Sequence, residues 1–223
     1  MYKDKLQAFL FKNKLNEKSL MYFYDEFSEN TVKYIVKDLI KLEELKEDFY
    51  IYSDGNCLNN GKLNAKGGYS VHFTDDKNNL FYKFNKTKLI SSLPTNNKAE
   101  LSGIKQIFKT INLNKELFKK DKINYIICTD SQYAINCITE WSVKWINNNW
   151  KNSKGECIKN KELIEEIINL RDNIPDDIKI TFKHVFGHTK EPSNKDSIEW
   201  KYWYGNHKVD NNINELFRLT KSI

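Results

Sequence analysis

Phe49-Tyr50-Ile51-Tyr52-Ser53, followed by Asp54-Gly55-Asn56, is the stretch that decides the fold of this chain. Aromatic and β-branched residues favour a strand, and Asp, Gly and Asn are typical of turns. We therefore predict a first strand that ends at Asp54. A second apolar run from Ile123 to Cys128 is followed by Asp130, which predicts another strand with an acid just beyond its end.

The segments between these two strands predict further sheet and one long helix. Residues 68–74 and 79–84 favour two strands around a turn at 75–78, which gives an antiparallel meander. An amphipathic helix is expected from near Asn96. Its apolar positions are Leu101, Ile104, Ile107, Phe108 and Ile111.

A helical crossover precedes the strand at 123–128, so this strand is expected to lie parallel to the first. Helix, strand and helix are predicted at about 131–138, 178–185 and 206–219. The expected fold is a mixed α/β sheet of five strands, three antiparallel and then two parallel, flanked by helices.

Residues 1–47 differ from the rest of the chain because apolar residues such as Val32, Ile35 and Leu39 recur there at helical spacing. We predict a small helical extension at 1–47 and a main domain at 48–223. Acids and bases are about equally frequent in the extension, whereas a nucleic-acid-binding module would carry clustered Lys and Arg. We expect the extension to pack on the main domain or on an unknown protein partner.

Composition narrows the class of protein. The net charge of +6 on 223 residues suits a polyanionic partner. No apolar run approaches the roughly 20 residues that cross a bilayer, and the N-terminus lacks the pattern of a secretory signal. Four scattered cysteines without zinc-ligand spacing favour free thiols in a reducing compartment. We expect an intracellular protein, cytoplasmic or nuclear, that is not secreted, binds no membrane and is monomeric.

Three acids are expected at one edge of the sheet. Asp54 ends the first strand, Asp130 follows a parallel strand, and Glu100 lies in the first turns of the helix between them. Crowded carboxylates resist full ionisation unless a cation is bound, and oxygen ligands favour Mg²⁺ or Mn²⁺. Two such ions could activate a water molecule to hydrolyse a phosphodiester. Any one of these acids alone would be interpreted as a helix cap or a solvated turn residue.

Five blocks of sequence resemble, in the same order, the signature of type 1 ribonuclease H. They are Tyr52-Ser53-Asp54-Gly55-Asn56-Cys57, Thr95-Asn96-Asn97-Lys98-Ala99-Glu100-Leu101, Thr129-Asp130-Ser131-Gln132-Tyr133, Gly187-His188, and Gly205-Asn206 with Asp210. The resemblance covers about residues 49–219 and leaves the N-terminal extension unexplained. It implies a ribonuclease H-like fold and an endonuclease that cuts the RNA strand of RNA–DNA hybrids. It also implies two Mg²⁺ ions, with Mn²⁺ as a substitute, and products with 5′-phosphate and 3′-hydroxyl ends.

The resemblance assigns roles to individual residues. Asp54, Glu100, Asp130 and Asp210 would be catalytic metal ligands, and His188, on a mobile loop, would assist proton transfer or product release. All four acids are present, which argues against a catalytically dead copy. No role is assigned to the other three histidines.

The resemblance also implies substrate contacts. Residues expected to recognise ribose 2′-hydroxyls in the wide minor groove are Cys57, Asn60, Asn96, Asn97 and Gln132. Thr95 and Asn160 would bind a DNA phosphate, although both also fit helix caps. Trp141 and Trp145 fall in the channel for the DNA strand, although an i, i+4 pair also fits a core. We favour Trp141 as core and Trp145 as contact.

Two segments depart from the family pattern. The protrusion Trp145-Ile146-Asn147-Asn148-Asn149-Trp150 is less basic than usual, so we expect weaker binding of the hybrid. The connection from Thr189 to Tyr204 is longer than expected and rich in aromatic residues. These aromatics either handle substrate or dock against the N-terminal helices.

Three alternatives stay open at this point. A proofreading-type exonuclease would need a second acid two residues after Asp54, where Asn56 stands. A catalytically silent module on the same fold would bind hybrid without cutting it. A domain of a reverse transcriptase would follow polymerase-like sequence, which the residues before 48 do not resemble.

Overall fold

The computed structural model describes residues 47–91, 93–120 and 123–220. The predicted helical extension lies outside these ranges apart from Glu47, so both the extension and its boundary stay predictions. In chain order the elements are β1 (Glu47–Leu58), β2 (Lys66–His72), a 3-10 turn (Tyr82–Phe84), β3 (Lys86–Leu89), α1 (Asn96–Leu113), α2 (Lys115–Phe118), β4 (Ile123–Thr129), α3 (Gln132–Asn136), a π-helical turn (Cys137–Trp141), α4 (Ser142–Asn147), α5 (Lys161–Asp172), β5 (Lys179–His184) and α6 (Ile198–Leu219).

The strands form one five-stranded sheet in the order β3-β2-β1-β4-β5. Strand β2 pairs antiparallel with both β1 and β3, while β4 and β5 are parallel. The mixed α/β sheet expected from the sequence is therefore confirmed. Strands β1 and β4 are neighbours at its centre, so Asp54 and Asp130 come from adjacent strands.

The prediction that the first strand ends at Asp54 is wrong, because β1 runs on to Leu58. Asp54 is paired with Ser70 of β2, and the ladder continues beyond it. The glycine that suggested a turn has a packing role, since a Cβ on Gly55 would lie 2.1 Å from the carbonyl carbon of Ala99. The missing side chain lets α1 approach β1 closely.

The prediction of a third strand at 79–84 is also wrong, since β3 begins at Lys86. A 3-10 turn occupies Tyr82–Phe84. Phe81 is buried, and its ring lies 4.9 Å from that of Phe49. Phe81, which favoured a strand in the sequence, therefore fills the core from a loop, whereas Tyr82 is exposed.

The last helix begins earlier than the prediction of 206, because α6 starts at Ile198. Ser197 caps this helix, since its Oγ accepts a hydrogen bond from the Trp200 N–H at 3.1 Å. The aromatic residues between Trp200 and Tyr204 therefore lie on a helix rather than in a loop. Helix α5 is a further difference, because it is absent from the predicted elements.

Helix α6 packs on β2 and contacts β1 through Tyr52. A Cβ on Gly205 would lie 2.2 Å from the ring of Tyr52, whose hydroxyl donates to the Lys201 carbonyl at 2.9 Å. Asp210 therefore lies on a helix whose position depends on its packing against β1. Among the described residues no helix is long and apolar enough to span a membrane.

Candidate active site

Asp54 lies within β1 and is only 7% exposed. The Gly55 N–H donates a hydrogen bond to its Oδ1 at 2.6 Å. Burial raises the pKa of Asp54 to about 7, the charges of Asp130 and Asp210 add to the rise, and the Gly55 hydrogen bond opposes it. Without a cation, the neutral and ionised forms of this carboxyl would coexist near neutral pH.

Glu100 is carried into the same place by the first turns of α1. Thr95 caps the helix, because its Oγ1 accepts a hydrogen bond from the Lys98 N–H at 3.2 Å. A Cβ on Gly55 would lie 2.2 Å from the Glu100 nitrogen. The start of α1 is thus pressed against β1 beside Asp54.

Asp130 follows β4 at the entry to α3. Ser131 caps that helix, since its Oγ accepts from the Ala134 N–H at 3.2 Å. A Cβ on Gly187 would lie 2.3 Å from the Asp130 Oδ2. A ring nitrogen of His184 lies 3.1 Å from the Asp130 carbonyl oxygen. The chain just before His188 therefore lies directly against this carboxylate.

Asp54, Glu100 and Asp130 each contribute a carboxylate oxygen to a group whose members lie within 4.8 Å of one another. Glu100 Oε2 is buried and has no hydrogen-bond partner among the described residues. Burial, followed by the charges of Asp54 and Asp130, raises the pKa of Glu100 well above its usual value. A divalent cation fits this group, because it would pair with the buried oxygen and lower the pKa of the carboxyls.

Asp210 stands apart from this group of three. It is half-buried on α6, and its Oδ1 accepts a hydrogen bond from Asn214 Nδ2 at 3.1 Å. Its charge contributes to the raised pKa of Asp54, so it faces the same region. The predicted quartet is therefore three clustered acids with a fourth nearby.

A small pocket joins Asp210 to Asp130. Its lining residues are Asp130, Phe186, His188, Thr189, Trp203, Asn206, His207 and Asp210. His188 is exposed and has a φ of +53°, a left-handed conformation that is uncommon outside glycine. The residue predicted to transfer protons thus shares a pocket with two of the predicted metal ligands.

Residues predicted to recognise ribose hydroxyls lie around the junction of β1 and α1. The Cys57 N–H donates to Asn96 Oδ1 at 2.9 Å, which ties the two elements together. The side chain of Cys57 is buried, whereas Asn60, Asn96 and Asn97 are exposed. Gln132 is exposed in the first turn of α3. Their contact with substrate stays a prediction.

The two residues predicted to bind a DNA phosphate differ in their local structure. Thr95 is the cap of α1, as the sequence indicates. Asn160 is at the N-cap position of α5, as the sequence indicates, but it has a φ of +61° and its side chain makes no capping hydrogen bond. Its Nδ2 lies 3.5 Å from the Tyr133 hydroxyl. The phosphate contact stays a prediction for both residues.

Trp141, Trp145 and Trp150 form a row of aromatic rings. The ring centroids of Trp141 and Trp145 are 5.7 Å apart, and those of Trp145 and Trp150 are 6.3 Å apart. All three are half-buried and pack against the core. The Lys161 Nζ lies 5.7 Å from the centroid of Trp150. Burial therefore does not distinguish Trp141 as core from Trp145 as contact.

Five pocket residues are not among the predicted site residues, namely Phe186, Thr189, Trp203, Asn206 and His207. Asn206 is 5% exposed, and its Oδ1 has no hydrogen-bond partner in the described part of the chain. The sequence signal that could have indicated Asn206 as a site residue was its place in the Gly205-Asn206 block. His207 is exposed and stacks on Trp203, with ring centroids 4.8 Å apart and planes inclined by 12°. Trp203 was noted only as one of the aromatic residues of the 189–204 connection, because the predicted start of α6 was too late to place it on a helix.

Comparisons with known proteins point to one family. The family model described as RNase H matches residues 46–217. Ribonuclease H of Wolbachia pipientis wMel is 30% identical over 154 residues, which are 68% of this chain and 91% of that protein. Ribonuclease H of Schizosaccharomyces pombe is 32% identical over 146 residues, which are 65% of this chain and 48% of that protein. The chain thus matches about half the length of the second relative.

Solved structures show weaker similarity. LC9-RNase H1, a type 1 RNase H, has a TM-score of 0.46 and 20% identity, covering 75% of this chain and 72% of that chain. The PFV RNase H domain has a TM-score of 0.47 and 17% identity, covering 74% of this chain and 93% of that chain. The family assignment rests on the sequence match.

Proposed function

Because this chain belongs to the RNase H family, whose model matches residues 46–217, we propose that it is an endonuclease that hydrolyses the RNA strand of RNA–DNA hybrids. The family match and the curated relatives make it a hydrolase of the ribonuclease H type. One observation carries the proposal: carboxylate oxygens of Asp54, Glu100 and Asp130 lie within 4.8 Å of one another, and a buried Glu100 oxygen has no hydrogen-bond partner among the residues that the structure describes.

In the proposed mechanism these three acids and Asp210 would hold two divalent metal ions, Mg²⁺ or Mn²⁺ as a substitute. Ions bound there would activate a water molecule and stabilise the leaving oxygen in an in-line displacement. The carboxylates must be ionised to act as ligands. The raised pKa values of Asp54 and Glu100 therefore describe the metal-free protein, in which burial and the neighbouring carboxylates disfavour their ionised forms.

His188 is proposed to transfer a proton during cleavage or to assist product release. It is exposed and lines the pocket with Asp130 and Asp210. An imidazole can accept and donate a proton near neutral pH. Attack of water on phosphorus with rupture of the bond to the 3′ oxygen, followed by protonation of that oxygen, leaves 5′-phosphate and 3′-hydroxyl ends.

Selection of the RNA strand is proposed to depend on its 2′-hydroxyls. The exposed amides that could bind them are those of Asn60, Asn96, Asn97 and Gln132, with Cys57 limited to its backbone. The DNA strand would contact Thr95, Asn160 and the tryptophan row at Trp145. The net charge of +6 supports a polyanionic substrate. A monomeric state stays a prediction.

The test is cleavage of end-labelled RNA–DNA hybrid by the full chain in Mg²⁺ and in EDTA. Duplex RNA, duplex DNA and single-stranded RNA serve as substrate controls. Asp130→Asn removes a charge from the group of three acids, whereas Asp176→Asn removes an exposed acid from the loop before β5. We expect hybrid-specific, metal-dependent cleavage that Asp130→Asn abolishes and Asp176→Asn retains.

The alternative is a catalytically silent module that binds hybrid. Binding without cleavage in Mg²⁺ or Mn²⁺ would support that alternative and contradict the proposed endonuclease. Cleavage of the hybrid that persists in Asp130→Asn would contradict the assigned site while leaving the activity in place.

A further inference from the structure

The segment that follows His188 is joined to α6 by two indole side chains. Trp203 Nε1 donates a hydrogen bond to the Thr189 carbonyl oxygen at 3.0 Å. Trp200 Nε1 donates to Glu191 Oε1, also at 3.0 Å. Both donors lie in the first turns of α6, which the sequence alone placed in a loop. The early start of α6 therefore supplies the two donors.

The Trp203 ring is itself held in place. It stacks on His207 one turn further along α6, with centroids 4.8 Å apart. The same helix carries Asp210, and both Trp203 and Asp210 line the pocket that contains His188. The Thr189 carbonyl is thus attached to the element that carries one of the proposed metal ligands.

His188, which precedes Thr189, has a backbone conformation that needs to be stabilised by its surroundings. His188 is exposed and adopts a φ of +53°, and a left-handed conformation is unfavourable for residues with a Cβ. The preceding Gly187 lies against Asp130, because a Cβ there would be 2.3 Å from the carboxylate. Contacts on both sides of His188 therefore hold its backbone at the pocket that Asp130 and Asp210 also line.

We propose that Trp203 is a positioning residue, whose indole N–H holds His188 in the pocket through the carbonyl of Thr189. The proposal rests on the proposed role of His188 in cleavage. The bond of Trp200 differs in kind, since its acceptor is an exposed carboxylate three residues beyond His188. Trp200 is therefore the matched control, with the same donor on the same helix.

The first experiment is a double-mutant cycle on hybrid cleavage by the full chain. Trp203→Phe keeps an aromatic ring beside His207 and removes the donor. We expect it to lower kcat about fivefold with little change in KM. In the His188→Ala background the same substitution should have no further effect. Trp200→Phe should leave kcat within about twofold in both backgrounds.

Two outcomes of this cycle would overturn the proposal. An equal loss of kcat in both backgrounds would mean that Trp203 acts on stability or touches substrate itself. An unchanged kcat for Trp203→Phe in the presence of His188 would mean that the hydrogen bond does not position it. Thermal unfolding of each variant shows whether the fold is retained.

The second experiment does not depend on activity. Backbone ¹⁵N relaxation reports the order parameters of His188 and Thr189 in the free protein. We expect Trp203→Phe to lower them from a value near 0.85, typical of rigid backbone, towards about 0.6. Trp200→Phe should leave them unchanged. Unchanged values in Trp203→Phe would overturn the proposal.

The two experiments also separate this proposal from the proposed function. If the wild type cuts no hybrid, or if His188→Ala cuts at the wild-type rate, the function assigned to the site or to His188 fails. The order parameters then still decide whether Trp203 holds His188 in place.

Discussion

The proposed site has two groups of residues. The first is the cluster of acids, with Asp54 on β1, Glu100 on α1 and Asp130 at the end of β4. The second consists of His188 in a surface turn and Asp210 on α6. Asp54 is 7% exposed, and Glu100 has a buried oxygen without a partner in the described residues. His188, in contrast, is exposed at a φ of +53°. Close backbone packing places the first group and also α6, which carries Asp210, whereas a hydrogen bond from Trp203 holds the turn at His188.

This difference indicates how each of the two groups of residues should respond to substitution. Gly55 brings α1 so close to β1 that Glu100 has little freedom, because protein interiors are tightly packed. Thr189 is held by one hydrogen bond from Trp203, and such bonds contribute about 1 kcal/mol. Substitution of a clustered acid should alter metal binding and stability together, whereas substitution of His188 or of Trp203 should alter turnover.

The largest effect is expected for Glu100→Gln. Cleavage of hybrid in Mg²⁺ should fall about 10³-fold or more, because a metal ligand is lost. The melting temperature in EDTA should rise, because burial no longer opposes a charge at this position. Cleavage rates and thermal unfolding in EDTA measure the two effects.

Glu162→Gln is the matched control for this change. Glu162 is an exposed acid in the first turn of α5. Glu162→Gln should leave the rate of hybrid cleavage and the melting temperature in EDTA nearly unchanged. Retained activity in Glu100→Gln, or a lower melting temperature in EDTA, would contradict the assignment of Glu100 as a metal ligand.

A smaller effect is expected for His188→Ala. The value of kcat should fall about 10²-fold, since general acid–base groups contribute at least that much. The Mg²⁺ concentration that gives half of the maximal rate should stay within about twofold, because His188 is not proposed as a ligand. A Mg²⁺ titration of the cleavage rate measures both quantities.

Lys190→Ala controls for disturbance of the same surface segment. Lys190 is exposed two residues after His188 and lies outside the pocket lining. This variant should cleave hybrid at the wild-type rate. If His188→Ala shifts the Mg²⁺ requirement and does not lower kcat, His188 takes part in metal binding. The proposed difference between the clustered acids and His188 would then be wrong.

The smallest effect concerns the pH dependence of stability without metal. The pKa of Asp54 is about 7 in the folded chain, above the usual value of 3.8 for an aspartate. The folded state therefore holds this proton more tightly, and stability falls as pH rises from about 4 through 7. Asp54→Asn should remove part of this fall, about 5 °C in melting temperature at pH 7 relative to pH 4.

Thermal unfolding of wild type and Asp54→Asn in EDTA across that pH range measures the difference. Mg²⁺ should raise the wild-type melting temperature more at pH 8 than at pH 5, because ionised carboxyls bind it. If the melting temperatures of wild type and Asp54→Asn show the same pH dependence in EDTA, the ionisation of Asp54 does not lower stability.

Much of the candidate site could be predicted from the sequence. Asp54 and Asp130 each follow or end an apolar run, and strands of an α/β sheet bring such positions to one edge. Glu100 lies in the helix between them. The structure places carboxylate oxygens of these three acids within 4.8 Å. The order of elements along the chain is enough to indicate that outcome.

Other features could not be predicted, because different structures share their local pattern. Gly55 resembles a turn residue, yet it continues a strand because the close approach of Ala99 requires the absence of a side chain. Phe81 resembles a strand residue, yet it fills the core from a loop. Each depends on a neighbour that is distant in sequence.

The amino-acid sequence by itself determined the mixed α/β sheet, the family and the set of acids, because these follow from local periodicity and ordered motifs. The tertiary structure alone decided that Asp210 stands apart from the other acids and that α6 begins early enough for Trp203 to reach Thr189. The physical reason is that hydrogen bonds and close contacts between distant residues are absent from any local pattern. They form only when β1, α6 and the turn at His188 are packed together.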